Sequence, residues 1–177
     1  MSDIILLGDK NDMLRDRMPE FDFNNPITDP VELSHRLINA MKDGHGIGLA
    51  ANQIGVPTRC FAMYSEPPMV CFNPVITYSG DELVALEEGC LSYPNVFIKV
   101  KRPKFIRVRF RDPYGNPVVK KFDGMAARVF QHELDHLDGV EYFKRAHPVH
   151  RERFQRKWKK VSRLIKNAAN KKVKAAK

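Results

Sequence analysis

The chain has 177 residues and a formal net charge of +9. From Lys144 to Lys177 it carries 14 Lys/Arg against one acid, Glu152, while the first 143 residues hold 16 Lys/Arg and 20 Asp/Glu. A body of −4 with a tail of +13 excludes a uniformly basic nucleic-acid coat and asks for two separate readings.

This length fits one domain with a real core. The longest early apolar run, Ile4–Leu7, is too short for a signal sequence, and nothing approaches the 18 or so apolar residues of a membrane span. A cytoplasmic protein is expected. Three cysteines, Cys60, Cys71 and Cys90, are too few and too odd for a disulfide framework, so reduced thiols are predicted.

In chain order, the first 28 residues read as irregular. Asp29 caps a helix with Pro30 at its first position and Glu32 three residues after the cap. Leu33, Leu37, Ile38 and Met41 form its apolar face, and Gly44 stops it. Gly46–Gly55 has residues too small for an ordinary strand. Strands are expected over Arg59–Tyr64, Met69–Tyr78 (interrupted by Pro74), Val96–Val100, Lys104–Arg111 and Val118–Phe122. In Lys104–Arg111, Ile106, Val108 and Phe110 face one way and Arg107, Arg109 and Arg111 the other. Residues 112–116 form a turn. Asp123 is expected to cap a helix from Gly124 to about Leu137, stopped by Gly139, and a last helix starts near Pro148. The order is α+β with antiparallel strands.

The sharpest motif is His132-Glu133-Leu134-Asp135-His136. Residues four apart share a helix face, so His132 and His136 can hold one metal ion. Glu133 then stands beside the metal, where a base for a metal-bound water belongs. A catalytic site needs a third protein ligand and an open position. Two metalloprotease patterns fail here: one requires a His where Tyr142 stands, and the other a distant Glu, but no acid follows Glu152. Upstream, Cys90 in Glu88-Gly89-Cys90-Leu91-Ser92 offers a thiolate, which suits zinc or iron(II). The Gly/Ala-rich segment Gly46-Ile47-Gly48-Leu49-Ala50-Ala51-Asn52-Gln53 lets a substrate backbone lie close, and the Gln53 amide can donate to an oxyanion. Three readings stand at this point: a metal-dependent amide hydrolase, a zinc metalloprotease, and an RNA- or ribosome-binding protein with a structural metal.

Together, the Gly-rich segment, the Glu88–Ser92 segment and the His132–His136 helix resemble, in order and spacing, the motifs of the peptide deformylase family. The likeness covers residues 4 to 143. It implies a hydrolase that removes the N-formyl group from the formylmethionine of new polypeptides and releases formate. It also implies metal ligands Cys90, His132 and His136, catalytic acid/base Glu133, and oxyanion contacts from the Gln53 side chain and the Leu91 backbone N–H. The implied metal is iron(II), with zinc, nickel or cobalt tolerated, and the implied fold sets antiparallel strands around a central metal-binding helix. The implied oligomeric state is a monomer.

Ile47, Gly48, Leu86, Met125 and Val129 are expected to line the substrate pocket. Glu88 calls for a cationic partner, and Arg102 matches the family position that supplies it. Arg128 stands where an apolar residue is expected, reaching for the pocket mouth or altering substrate preference. Phe97 replaces the Arg that many members carry. The division expected is a catalytic domain over 1–146 and a basic helix and tail over 147–177. In that helix Phe154, Trp158, Val161, Ile165 and Ala168 recur at helical spacing among lysines and arginines. The stripe can pack on the body, and the basic face can bind ribosomal RNA or anionic lipid. The resemblance makes the ribosome the leading partner and the cytoplasm of a bacterium, or of a host cell if the gene is viral, the expected compartment.

Overall fold

The structure is a computed structural model describing residues 11–175, so Ile4–Leu7 lies outside the described residues. Its elements are α1 (Pro30–Asp43), β1 (Gly48–Ala50), β2 (Cys60–Met63), β3 (Met69–Ser79), β4 (Leu83–Cys90), β5 (Tyr93–Pro103), β6 (Phe105–Arg111), β7 (Pro117–Asp123), α2 (Gly124–Leu137) and α3 (Pro148–Ala175). Short 3-10 turns occupy Asp12–Leu14, Ala51–Ile54 and Tyr142–Arg145. Five strands pair in the order β1-β2-β3-β6-β7, and β4-β5 form a separate two-stranded sheet. Every pairing is antiparallel.

Strand alternation sets the layers. Cys60, Ala62, Val70 and Phe72 pack with Leu33, Leu37 and Met41 of α1. The alternate residues Phe61, Met63 and Cys71, joined by Ile106, Val108 and Phe110, pack with Ala127, Phe130 and Leu137 of α2. The sheet thus separates the two helices. Asp29 caps α1 as expected, accepting from the Glu32 N–H at 2.7 Å.

Three local expectations change. Gly48–Ala50 is a strand, paired with Met63–Phe61 despite its small residues. Leu49 and Ala50 are fully buried between the two helical layers, where larger side chains have no room. The strand β4 was not expected from sequence because its exposed and half-buried residues give no clean alternation; its ladder to β5 holds it in place. Asp123 precedes α2 without a side-chain capping bond. The turn into α2 rests instead on Gly124, at φ +56°, whose N–H donates to the Lys104 carbonyl at 2.9 Å.

The first turns of α3 belong to the packed interior. Phe154 is buried with Tyr93, Val96, Ile98, Val100 and Tyr142, and Trp158 and Val161 pack on that cluster. Tyr93 lies 5.7 Å from the Phe154 ring and 5.0 Å from the Trp158 ring, in edge-on geometry. The apolar stripe leaves the body beyond Val161, since Ile165 and Ala168 are exposed. Among the described residues no helix is long and apolar enough to cross a membrane.

Phe154→Ala is therefore expected to cost about 3 kcal/mol or more in urea unfolding, as a buried aromatic does. Lys157→Ala, at an exposed neighbour, is expected to stay within about 0.5 kcal/mol. A loss for Phe154→Ala no larger than for Lys157→Ala would detach the helix from the core.

Candidate metal centre

One face of α2 presents His132 and His136, with ring centroids 5.1 Å apart. The tight turn from β4 to β5, where Cys90 pairs with Tyr93, brings the Cys90 sulfur to 3.2 Å from His136 Nε2. The ligand atoms of Cys90, His132 and His136 all lie within 4.8 Å of one another, close enough to hold one metal ion. Burial alone raises a thiol, but His136 and His132 beside Cys90 outweigh it and pull its pKa well down, favouring the thiolate that binds metals.

Glu88, on β4, is buried and shared by three donors. Its Oε2 lies 3.0 Å from His132 Nδ1, which leaves Nε2 of that ring for a metal. Arg102 grips it through two bonds, Nε to Oε1 at 2.6 Å and Nη2 to Oε2 at 2.9 Å. Arg128 Nη1 adds a third at 2.8 Å to Oε1. Burial pushes the Glu88 carboxyl up, yet Arg102 and His132 hold it far below the usual range. Arg102 also reaches Asp135 at 2.7 Å, and Arg145 meets that same carboxylate at 2.7 Å from the solvent side.

Gln53 is held at both ends. Its Oε1 accepts the Ala50 N–H at 2.9 Å, and its Nε2 donates to Ser92 Oγ at 3.1 Å and points to the Cys90 sulfur at 3.5 Å. Glu133 is buried, and its Oε2 has no hydrogen-bond partner among the described residues. Burial pushes its pKa up to about 7, against the pull of His132 and His136. An orphaned buried carboxylate beside a thiolate and two imidazoles fits a centre that takes a metal ion and a water.

A cavity of about 520 Å³ opens on this cluster. Ile47, Gly48, Met125 and Val129 line it, as do Leu91, Phe97 and Arg128. Leu86 does not, because it lies two residues up β4 from Glu88, about 7 Å further along the strand. Arg128 lines the cavity from within the protein rather than from its exposed rim. It is buried, and its guanidinium also donates to the Val100 and Val84 carbonyls at 2.8 and 2.5 Å. The reason is Glu88, whose charge draws the guanidinium inward. Sequence reasoning also missed Ser92, Asp135 and Arg145. Asp135 stood inside the histidine motif, but nothing local marked Arg102 and Arg145 as its partners. Asn52 was missed as a tie: its Nδ2 donates to the His136 carbonyl at 2.8 Å and joins the Gly-rich segment to the end of α2.

A Cys and two His converging on one point, with a buried carboxylate beside them and an open cavity in front, have the arrangement of a mononuclear metal centre in hydrolases. The chain belongs to the polypeptide deformylase family, whose model matches residues 1–152. It is 41% identical over 120 residues to a peptide deformylase of Synechocystis, covering 64% of this chain and 64% of that protein's length. It is 40% identical over 132 residues to one of Thermotoga petrophila, covering 74% of this chain and 80% of the relative. The fold is similar to a crystal structure of peptide deformylase from Plasmodium falciparum, with a TM-score of 0.83 and 26% identity over 92% of this chain and 97% of the other. Members of this family are hydrolases that remove the N-formyl group from newly made polypeptides.

Three substitutions test the geometry. A Cβ on Gly48 would collide with the Glu133 carboxylate, its Cδ included at 2.8 Å. Gly48→Ala is expected to cut formate release from a formyl peptide roughly 100-fold by displacing that carboxylate, with thermal stability kept. Arg102→Leu strips the main partner from two buried carboxylates and is expected to cost about 3–5 kcal/mol in urea unfolding. Arg145→Ala, at a half-exposed pair, is expected to cost below about 1 kcal/mol.

Proposed function

We propose that Cys90, His132 and His136 hold one divalent metal ion, iron(II) ahead of zinc, nickel or cobalt, and that the site hydrolyses the formyl amide of N-formylmethionyl peptides. The observation that carries this reading is the convergence of the three ligand atoms within 4.8 Å, with the orphaned Glu133 carboxylate buried beside them. A thiolate in the set favours the softer ions. When bound, the ion supplies a Lewis acid that acidifies a water and polarises the formyl oxygen.

This chain's own residues do the rest. Glu133 takes the proton of the attacking water, and its raised pKa suits a group that must give the proton back near neutrality. The water oxygen adds to the formyl carbon. The Gln53 Nε2–H and the Leu91 N–H donate to the oxyanion as it forms. Support for Gln53 lies in its fixed amide: the Ala50 N–H occupies Oε1, which turns Nε2 to the Cys90 side. Glu133 passes its proton to the leaving amine as the C–N bond breaks, and formate departs. Ile47, Val129 and Met125 supply apolar wall for the methionine side chain, while Gly48 lets the peptide backbone approach. In this reading α2 is the central metal-binding helix, with Glu88 and Arg102 orienting His132.

The proposed division assigns the chemistry to residues 1–146 and docking to 147–177. The basic face of α3, with Arg156, Lys160 and Arg163 exposed, is proposed to meet ribosomal RNA, where formylated chains emerge. The proposed working form is a monomer in the cytoplasm. Gln substitutions at Arg156, Lys160 and Arg163 are expected to abolish co-sedimentation with ribosomes and spare formate release.

Formate release from formyl-Met-Ala-Ser is the decisive assay. Glu133→Ala is expected to lose at least about 100-fold in turnover while keeping the absorption of bound cobalt(II). Cys90→Ser is expected to lose the sulfur-to-cobalt charge-transfer band as well. Parental turnover by Glu133→Ala would sink the assignment.

A further inference from the structure

The solvent face of the β6–β7 hairpin carries a second, independent concentration of positive charge. Residues 104–121 hold six Lys/Arg and one acid, Asp112, within a body that is otherwise acidic. Strand alternation puts Arg107, Arg109 and Arg111 on the face away from α2, all exposed. Register places Lys121 opposite Arg107 and Val119 opposite Arg109. On the other flank β3 sets Tyr78 beside Arg107 and Val75 beside Arg109. Tyr78 is 48% exposed, its ring 5.3 Å below the Arg107 guanidinium and 6.2 Å from the Phe105 ring.

These cations are not neutralised by internal ion pairs among the described residues. Among the described residues, Arg107, Arg109 and Lys121 have no acidic partner within salt-bridge distance, and Arg111 donates only to the Gly115 carbonyl. The acids at the ends of the face are occupied or marginal. Asp112 is engaged by its own turn, Glu82 is paired with Lys104, and Asp123 closes β7. Alternate residues on a strand stand about 6.8 Å apart, close to the spacing of successive phosphates on an extended single strand. Beside them stands one planar ring, Tyr78, which suits base stacking and gives an acidic peptide nothing to stack.

We propose that this sheet face, Arg107, Arg109, Arg111 and Lys121 with Tyr78, binds single-stranded RNA, its cations on the phosphates and its ring under a base. The choice of RNA rests on the deformylase reading, since new polypeptides emerge beside ribosomal RNA. The face and α3 are separate contacts.

The test is fluorescence-anisotropy titration of the full chain with a labelled oligouridine of 20 residues over a range of salt. It compares Arg107→Gln/Arg109→Gln/Lys121→Gln with the parent and with the Gln triple variant in α3. Formate release is measured in parallel, so a failure of the enzymatic reading shows separately from a failure of the RNA face. The sheet variant is expected to bind roughly tenfold more weakly and to lose about 2 units of log–log salt slope, with formate release at the parental rate. Tyr78→Ala is expected to weaken binding roughly fivefold or more with the salt slope unchanged. Affinity and slope equal to the parent in the sheet variant would overturn the proposal. So would poly-glutamate binding as tight as RNA and lost in the same variant, which would make the face a dock for acidic proteins.

Discussion

The carboxylate of Glu88 is the constraint on which the site depends. It is buried, and one charge there is tolerable only if donors surround it. Arg102 comes from β5, and Arg128 and His132 come from α2. The Glu88 charge therefore fixes the two-stranded sheet against the helix, and this fixes Cys90, two residues on, against His136. The network continues outward through Asp135 to Arg145. A buried cluster of this kind adds little net stability, since each pair must first be desolvated. What it gives is geometry: His132 is held in one orientation with Nε2 turned to the thiolate.

A second device backs the same turn from behind. Tyr93, paired with Cys90, is enclosed by Tyr142, Phe143, Phe154 and Trp158, and its hydroxyl donates to buried Glu141. The Tyr142 ring also lies 5.4 Å from the His132 ring. The root of the basic helix is thus continuous with the packing behind Cys90 and His132. Its far half leaves Leu164 and Ile165 exposed. One helix combines an apolar root in the body with a charged extension outside it.

Charge is sorted by position. Inside the Glu88–Asp135 network every carboxylate meets two guanidiniums, while further positive charge gathers on α3 and on the β6–β7 face. Neither face contributes a residue to the lining of the cavity in front of Glu133.

The sequence by itself determined the local features. The helix carrying His132, Glu133 and His136, the Asp29 cap, the alternation of Lys104–Arg111 and the apolar stripe around Phe154 each depend on residues a few positions apart, and periodicity or capping chemistry records them. Cys90 stood out because it sat in its own motif. Tertiary structure decided what depends on residues far apart in the chain. Arg128 turned inward because Glu88, 40 residues earlier, was buried beside it. Leu86 fell outside the cavity because the ladder to β5 set how far Glu88 stands from it. Gly48–Ala50 became a strand because β2 offered it an edge and two helices left no room for larger side chains. Such outcomes are set by burial and long-range pairing, and no local pattern encodes the cost of an unpaired charge until the fold has chosen what surrounds it.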